Sequence, residues 1–178
     1  LLVVGGAGTT GHWSVRYLSG LARPDGAGAP TAVLVADTDP DVVDRLPEPV
    51  DGGPALEAVV LVVGPDGNES TVDGRPLAEL AREAAQVWVA VPPDGLAAVA
   101  ESLGPGLAQG DASVVVFSAA QVVAAQAFAG AIPAERMVGI HLLVGPETPD
   151  PVGHTAVVCV DPTVAENATE ASSGQVAA

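Results

Sequence analysis

Lysine is missing from this sequence altogether: its six cationic residues are all arginines, against 22 acids. Chemistry that needs a catalytic lysine is therefore excluded, Schiff-base formation and the phosphate-loop signature included. Aromatic residues make up only 3%, so Ala, Val and Leu have to build the core. The one cysteine, Cys159, allows no intramolecular disulfide, which fits a reducing compartment, and its apolar surroundings predict a small buried side chain. No apolar run approaches the ~20 residues that span a bilayer. Residues 1–4 have neither the basic flank nor the length of a secretory signal. The expected location is cytoplasmic. A sequence that opens inside a strand, without methionine, also reads as trimmed or partial.

What is abundant is acid. A net charge of −16 argues against a phosphate backbone or an anionic membrane as partner, because basic patches supply affinity for both. A surplus of this size strains a folded chain by self-repulsion unless salt screens it. The composition is what a salt-loving host would produce, with GC-rich codon bias as the alternative explanation. At 178 residues one domain with a real core is expected, and no metal is needed to hold it.

Short apolar runs alternate with helical patterns, the signal for βαβ units and a parallel sheet. Strands are expected at residues 1–4, 32–36, 58–63, 87–91, 113–117 and 137–140, with one more at 155–160. Helices are expected at 12–22, 76–85, 94–103 and 119–129. Asp39 and Pro40 read as a helix cap followed by proline at the first helical position. Residues 64–74 read as a surface turn or short hairpin, and 23–30 as a loop by composition. These elements make a Rossmann-type, doubly wound, mostly parallel α/β sheet over 1–162, followed by a disordered tail or linker at 163–178.

Gly6-Ala-Gly-Thr-Thr-Gly11 lies between the first strand and the first helix. Bare glycines let backbone N–H groups approach a pyrophosphate, and the helix N-terminus favours its charge. Gly6, Gly8, Thr9, Thr10 and Gly11 are thus the candidate phosphate site. Asp37 ends the second strand, where a carboxylate accepts from a ribose 2′-hydroxyl and repels a 2′-phosphate. NAD is therefore expected over NADP. Val91 and Pro92 end the fourth strand at its carboxyl edge, where open α/β sheets bind ligands. His12 and His154 read as surface residues. His141 differs, standing at the end of the sixth strand, where a histidine can act as general base.

The segments Val4-Gly-Gly-Ala-Gly-Thr-Thr-Gly11, Val89-Ala-Val-Pro92, Leu103-Gly-Pro-Gly-Leu107 and Arg136-Met-Val-Gly-Ile-His-Leu-Leu-Val-Gly-Pro146 resemble the nucleotide-binding half of prephenate/arogenate dehydrogenases. The resemblance runs over about residues 1–162. It implies oxidation of a ring hydroxyl with loss of a carboxylate as CO₂, in tyrosine biosynthesis, on a prephenate-like dicarboxylate. It also implies that His141 takes the hydroxyl proton. The resemblance also implies a homodimer, although the helical C-terminal domain with which the family dimerises and supplies arginines is not read here. An Asp-x-x-Ser-Val-Lys segment of the family falls on Phe117, Ala120 and Val122, which leaves Ser118 as the candidate substitute for the serine. The competing reading is a non-catalytic or degenerate NAD-binding module. A short-chain dehydrogenase is excluded, since Tyr17 is the only tyrosine and its lysine partner does not exist.

Overall fold

The computed structural model describes residues 1–21, 30–48, 50–65, 67–143, 145, 148 and 156–160. In chain order they form β1 (Leu2–Val4), α1 (Thr9–Ser19), β2 (Ala32–Asp37), β3 (Ala55–Val63), β4 (Glu69–Thr71), α2 (Leu77–Glu83), β5 (Gln86–Val89), α3 (Leu96–Gln109), β6 (Ser113–Phe117), α4 (Gln121–Phe128), β7 (Met137–Leu142) and β8 (Ala156–Cys159). Single 3-10 turns occupy Pro40–Val42 and Ala134–Arg136.

All three residues of β1 are buried, as the centre of a parallel sheet demands. Its side chains alternate between two apolar layers. Leu2 and Val4 join Val87, Val89, Val114 and Val116 on one face, while Val3 joins Val33 and Val35 on the other. Helices α2, α3 and α4 cover the first face through Leu77, Leu80, Leu96, Leu103 and Phe128, and α1 covers the second through Val15 and Leu18. The strand order is β4-β3-β2-β1-β5-β6-β7-β8. The six strands from β3 to β7 across that order run parallel, and the edges β4 and β8 pair antiparallel to their neighbours. This is the doubly wound Rossmann arrangement, and its order reverses between β1 and β5.

Four sequence expectations need correction. Helix α1 starts at Thr9, not at residue 12, because Gly8 adopts the extended N-cap conformation inside the glycine loop. The third helix continues to Gln109 through Pro105. That proline is exposed, so the carbonyl it leaves without a helical donor can be hydrated. After Asp39, whose side chain accepts from the Asp41 N–H, the chain makes only one 3-10 turn. Cys159 is half-buried on the edge strand β8 and not a core residue. The 64–74 excursion is the hairpin of β3 and β4, with Val63 opposite Glu69. Residues 22–29 of the first loop, His154, Pro146 and the 163–178 tail lie outside the described residues.

Candidate functional site

The end of β1 turns at Gly5, whose φ of +85° few side chains tolerate. Its N–H and that of Gly6 donate to the Ala36 carbonyl at 2.9 and 3.4 Å, strapping the loop to β2. The three motif glycines do different work. A Cβ on Gly6 would strike the Val35 side chain, and one on Gly11 would strike the Gly5 carbonyl. Gly8 is not constrained in this way: a Cβ there would meet nothing closer than the Gly5 carbonyl at 3.4 Å. The fold itself requires glycine at 6 and 11, while Gly8 keeps open space above the loop. No side chain caps α1, so the first-turn N–H groups of Thr9, Thr10 and Gly11 lack helical partners and carry the positive end of the helix.

Two cavities lie along this edge of the sheet, and Gly8, Ala90, Val91 and Pro92 stand in the walls of both. The smaller, of about 390 Å³, holds Asp37. One oxygen of Asp37 accepts from the Ala7 N–H at 2.8 Å and the other from the Asp39 N–H at 2.9 Å. Two bonds fix the carboxylate and leave it lone pairs for a further donor. Arg45 donates to the Ala7 carbonyl at 3.2 Å and pairs with Asp39 at 3.4 Å and Asp41 at 3.1 Å, so its charge is already taken up. Glu69 also lines this cavity. Sequence reasoning missed it, since only the β3–β4 pairing brings a residue of a polar turn to this edge of the sheet.

The larger cavity, of about 490 Å³, gathers Thr9, Thr10, Trp13, Phe117, Ser118 and His141. Eight of the ten site residues expected from sequence therefore line one or both cavities, and seven of them, Gly8, Thr9, Thr10, Val91, Pro92, Ser118 and His141, line the larger. Asp37 lines the smaller, and Gly6 and Gly11 shape the loop from behind. His141 stands at the carboxyl end of β7, half-buried. The Ser118 hydroxyl accepts from the Ala120 N–H at 3.0 Å, and the Gln121 amide donates to the Ser118 carbonyl at 2.6 Å. Gln121 reaches that carbonyl by lying over Gly139, where any Cβ would collide with it. The glycine two residues before His141 thus helps hold the Ser118 turn.

The remaining candidates, Val122, Arg136 and His12, line neither cavity. Phe117 packs edge-on against Trp88 at 5.1 Å, and Val122 is 71% exposed. Arg136 sits at the opposite end of β7, donating to the carbonyls of Leu107 and Ala112 at 3.1 and 2.6 Å. His12 is half-buried inside the first turn of α1, and burial followed by Arg16 and Arg45 lowers its pKa below the ordinary value. Trp13 stacks on Tyr17 and donates to the Thr148 carbonyl at 2.8 Å, tying α1 to the segment after β7. Among the described residues no helix is long and apolar enough to cross a membrane.

No model of a known protein family matches the sequence, and no curated protein is detectably similar. Solved structures are similar in fold. Glucose-6-phosphate 1-dehydrogenase from Mycobacterium avium aligns with a TM-score of 0.55 at 15% identity, over 78% of this chain and 34% of that one. Prephenate dehydrogenase from Aquifex aeolicus aligns with a TM-score of 0.54 at 14% identity, over 95% of this chain and 56% of that one. The chain thus spans between a third and just over half the length of these two proteins, and what it shares with them is the Rossmann-type fold.

Proposed function

We propose that the chain is the cofactor-binding part of an NAD-dependent dehydrogenase of the prephenate type. The observation that carries this reading is one crevice made of two cavities, meeting at Gly8 over the open end of α1. An extended dinucleotide fits that shape: its pyrophosphate against Gly8 and the α1 N-terminus, its adenosine ribose at Asp37, its nicotinamide beside Val91 and Pro92. Asp37, Asp39 and Asp41 outnumber Arg45 at the ribose end, which supports NAD over NADP. The bound cofactor supplies the hydride acceptor. His141 accepts the proton of the substrate hydroxyl as its carbon loses hydride; the ring carboxylate then leaves as CO₂, its bonding electron pair aromatises the ring, and the oxygen takes the proton back. Ser118, whose oxygen is held by the Ala120 N–H, keeps its own O–H to donate to the substrate.

One observation favours the competing reading of a non-catalytic NAD module. Among the described residues the larger cavity has no arginine in its wall, so nothing there neutralises a dicarboxylate. On the dehydrogenase reading those cations come from outside the described residues. The assay is NADH formation from prephenate and from arogenate with the complete gene product. His141→Asn should leave NADH binding intact and lower turnover by the ~10²–10⁴-fold typical of a lost general base. A full rate in that variant removes His141 from the role. Complete gene product that binds NADH but turns over neither substrate makes the module reading the correct one.

A further inference from the structure

Glu69 has no place in the glycine-loop fingerprint, yet the fold delivers it to the cofactor edge. It stands opposite Val63 in the β3–β4 hairpin, and its N–H donates to the buried Ser102 hydroxyl of α3 at 3.3 Å. Strand and helix together fix its backbone. Its side chain enters the wall of the cavity that holds Asp37, with Gly95, Ala98 and Val99 of the α3 end as the small apolar part of that wall. One oxygen, Oε2, is buried without a hydrogen-bond partner among the described residues. A buried carboxylate oxygen left in this way costs free energy, and a turn of the side chain toward a donor in the cavity would recover it. Burial and the nearby Asp37 charge both raise the Glu69 pKa, which places the two carboxylates within electrostatic reach across one small space.

We propose that Glu69 is a second specificity determinant for the adenosine end of the dinucleotide. It accepts a hydrogen bond from an O–H or N–H of the adenosine and, with Asp37, excludes a 2′-phosphate. This rests on the dinucleotide reading above and adds to it a residue from a separate element. Asp37 alone offers one charge against a phosphorylated ribose. With Glu69 the phosphate faces a carboxylate from β2 and another from β4, while the local cation, Arg45, is paired with Asp39 and Asp41. A hydroxylated ribose, by contrast, brings donors to two acceptors.

Calorimetric titration at pH 8 with NADH, with NADPH and with reduced nicotinamide hypoxanthine dinucleotide tests this on wild type, Glu69→Gln and Glu69→Ala. Both variants should keep the fold, since each removes a carboxylate that has an unpartnered buried oxygen. In both, the preference for NADH over NADPH should shrink by about ten-fold or more, the order expected when a unit charge leaves the side of a phosphate at a partly buried site. Glu69→Ala should also bind NADH more weakly than Glu69→Gln, which retains an acceptor oxygen. If the hypoxanthine dinucleotide binds wild type as tightly as NADH does, the donor is a ribose hydroxyl; if it binds more weakly and Glu69→Ala removes the difference, the donor is the adenine amino group. Either result supports the assignment. NADH binding with an unchanged NADH-to-NADPH ratio in both variants overturns the role of Glu69 and leaves the dinucleotide reading standing. No binding of any dinucleotide to the wild-type protein overturns both.

Discussion

At the scale of residues, the glycine loop separates what folding needs from what a ligand needs. Gly11 cannot carry a Cβ without driving it into the Gly5 carbonyl, so Gly11→Ala should cost about 1–3 kcal/mol of stability, the usual range for overpacking a tight site. Chemical denaturation measures this directly, and an unchanged midpoint would contradict the packing role. Glu69 gives a pH-dependent counterpart. Its folded pKa is raised above the ordinary carboxylate range by burial first and Asp37 second. An acid shifted in this direction favours the fold below its unfolded pKa, and that contribution is lost as pH rises through the folded pKa. Glu69→Gln should therefore melt higher than wild type near pH 7, and the gap should close as pH falls toward 4. Melts across that window check it, and a gap that widens on acidification would reverse the sign. The burial of Glu69 could not be read from a stretch of polar residues, whereas Asp37 was legible because it ends an apolar run. His141 and Ser118 were legible by position, but the Gln121 contact over Gly139 that holds the Ser118 turn was not.

At the scale of elements, the strands were the most legible part of the fold. β6 appears with the bounds its valine run implies, because central parallel strands need apolar side chains on both faces. Helix ends were harder, since packing can override the usual stop signals. Leu103-Gly-Pro-Gly-Leu107 has the composition of a turn, yet α3 passes through it with Leu103 and Leu107 buried and Pro105 facing solvent. At Gly106 α3 lies close against α2: a Cβ there would collide with the Ala78 carbonyl. Two substitutions in adjacent positions should therefore act in opposite directions. Pro105→Ala should stabilise by about 1–3 kcal/mol by restoring a helical donor, less the unfolded-state entropy that proline removes. Gly106→Ala should destabilise by pushing the two helices apart. Denaturant midpoints of the pair test this, and a loss in both would mean that the proline sets the helix path. The hairpin edge β4 was legible only as an alternative to a surface turn, because register between short polar strands is weakly specified by pattern.

At the scale of the whole molecule, charge and topology each make a claim. With 22 acids facing six arginines, thermal stability should rise as KCl goes from low to molar concentration. A flat or falling melting temperature would rule out acid repulsion as a major term. Topology makes the larger claim, that the strand-order reversal between β1 and β5 creates a crevice for a dinucleotide laid across Gly8. Gly8→Val isolates it, because the backbone there is extended and the first atom of an added side chain meets only ordinary contacts. The most direct measurement is calorimetric titration of NADH into wild type and Gly8→Val, each first shown by melting to be folded. Saturable one-to-one binding to wild type and none to a Gly8→Val protein of similar melting temperature is the predicted result. No binding to wild type, or equal binding to both, would contradict the account.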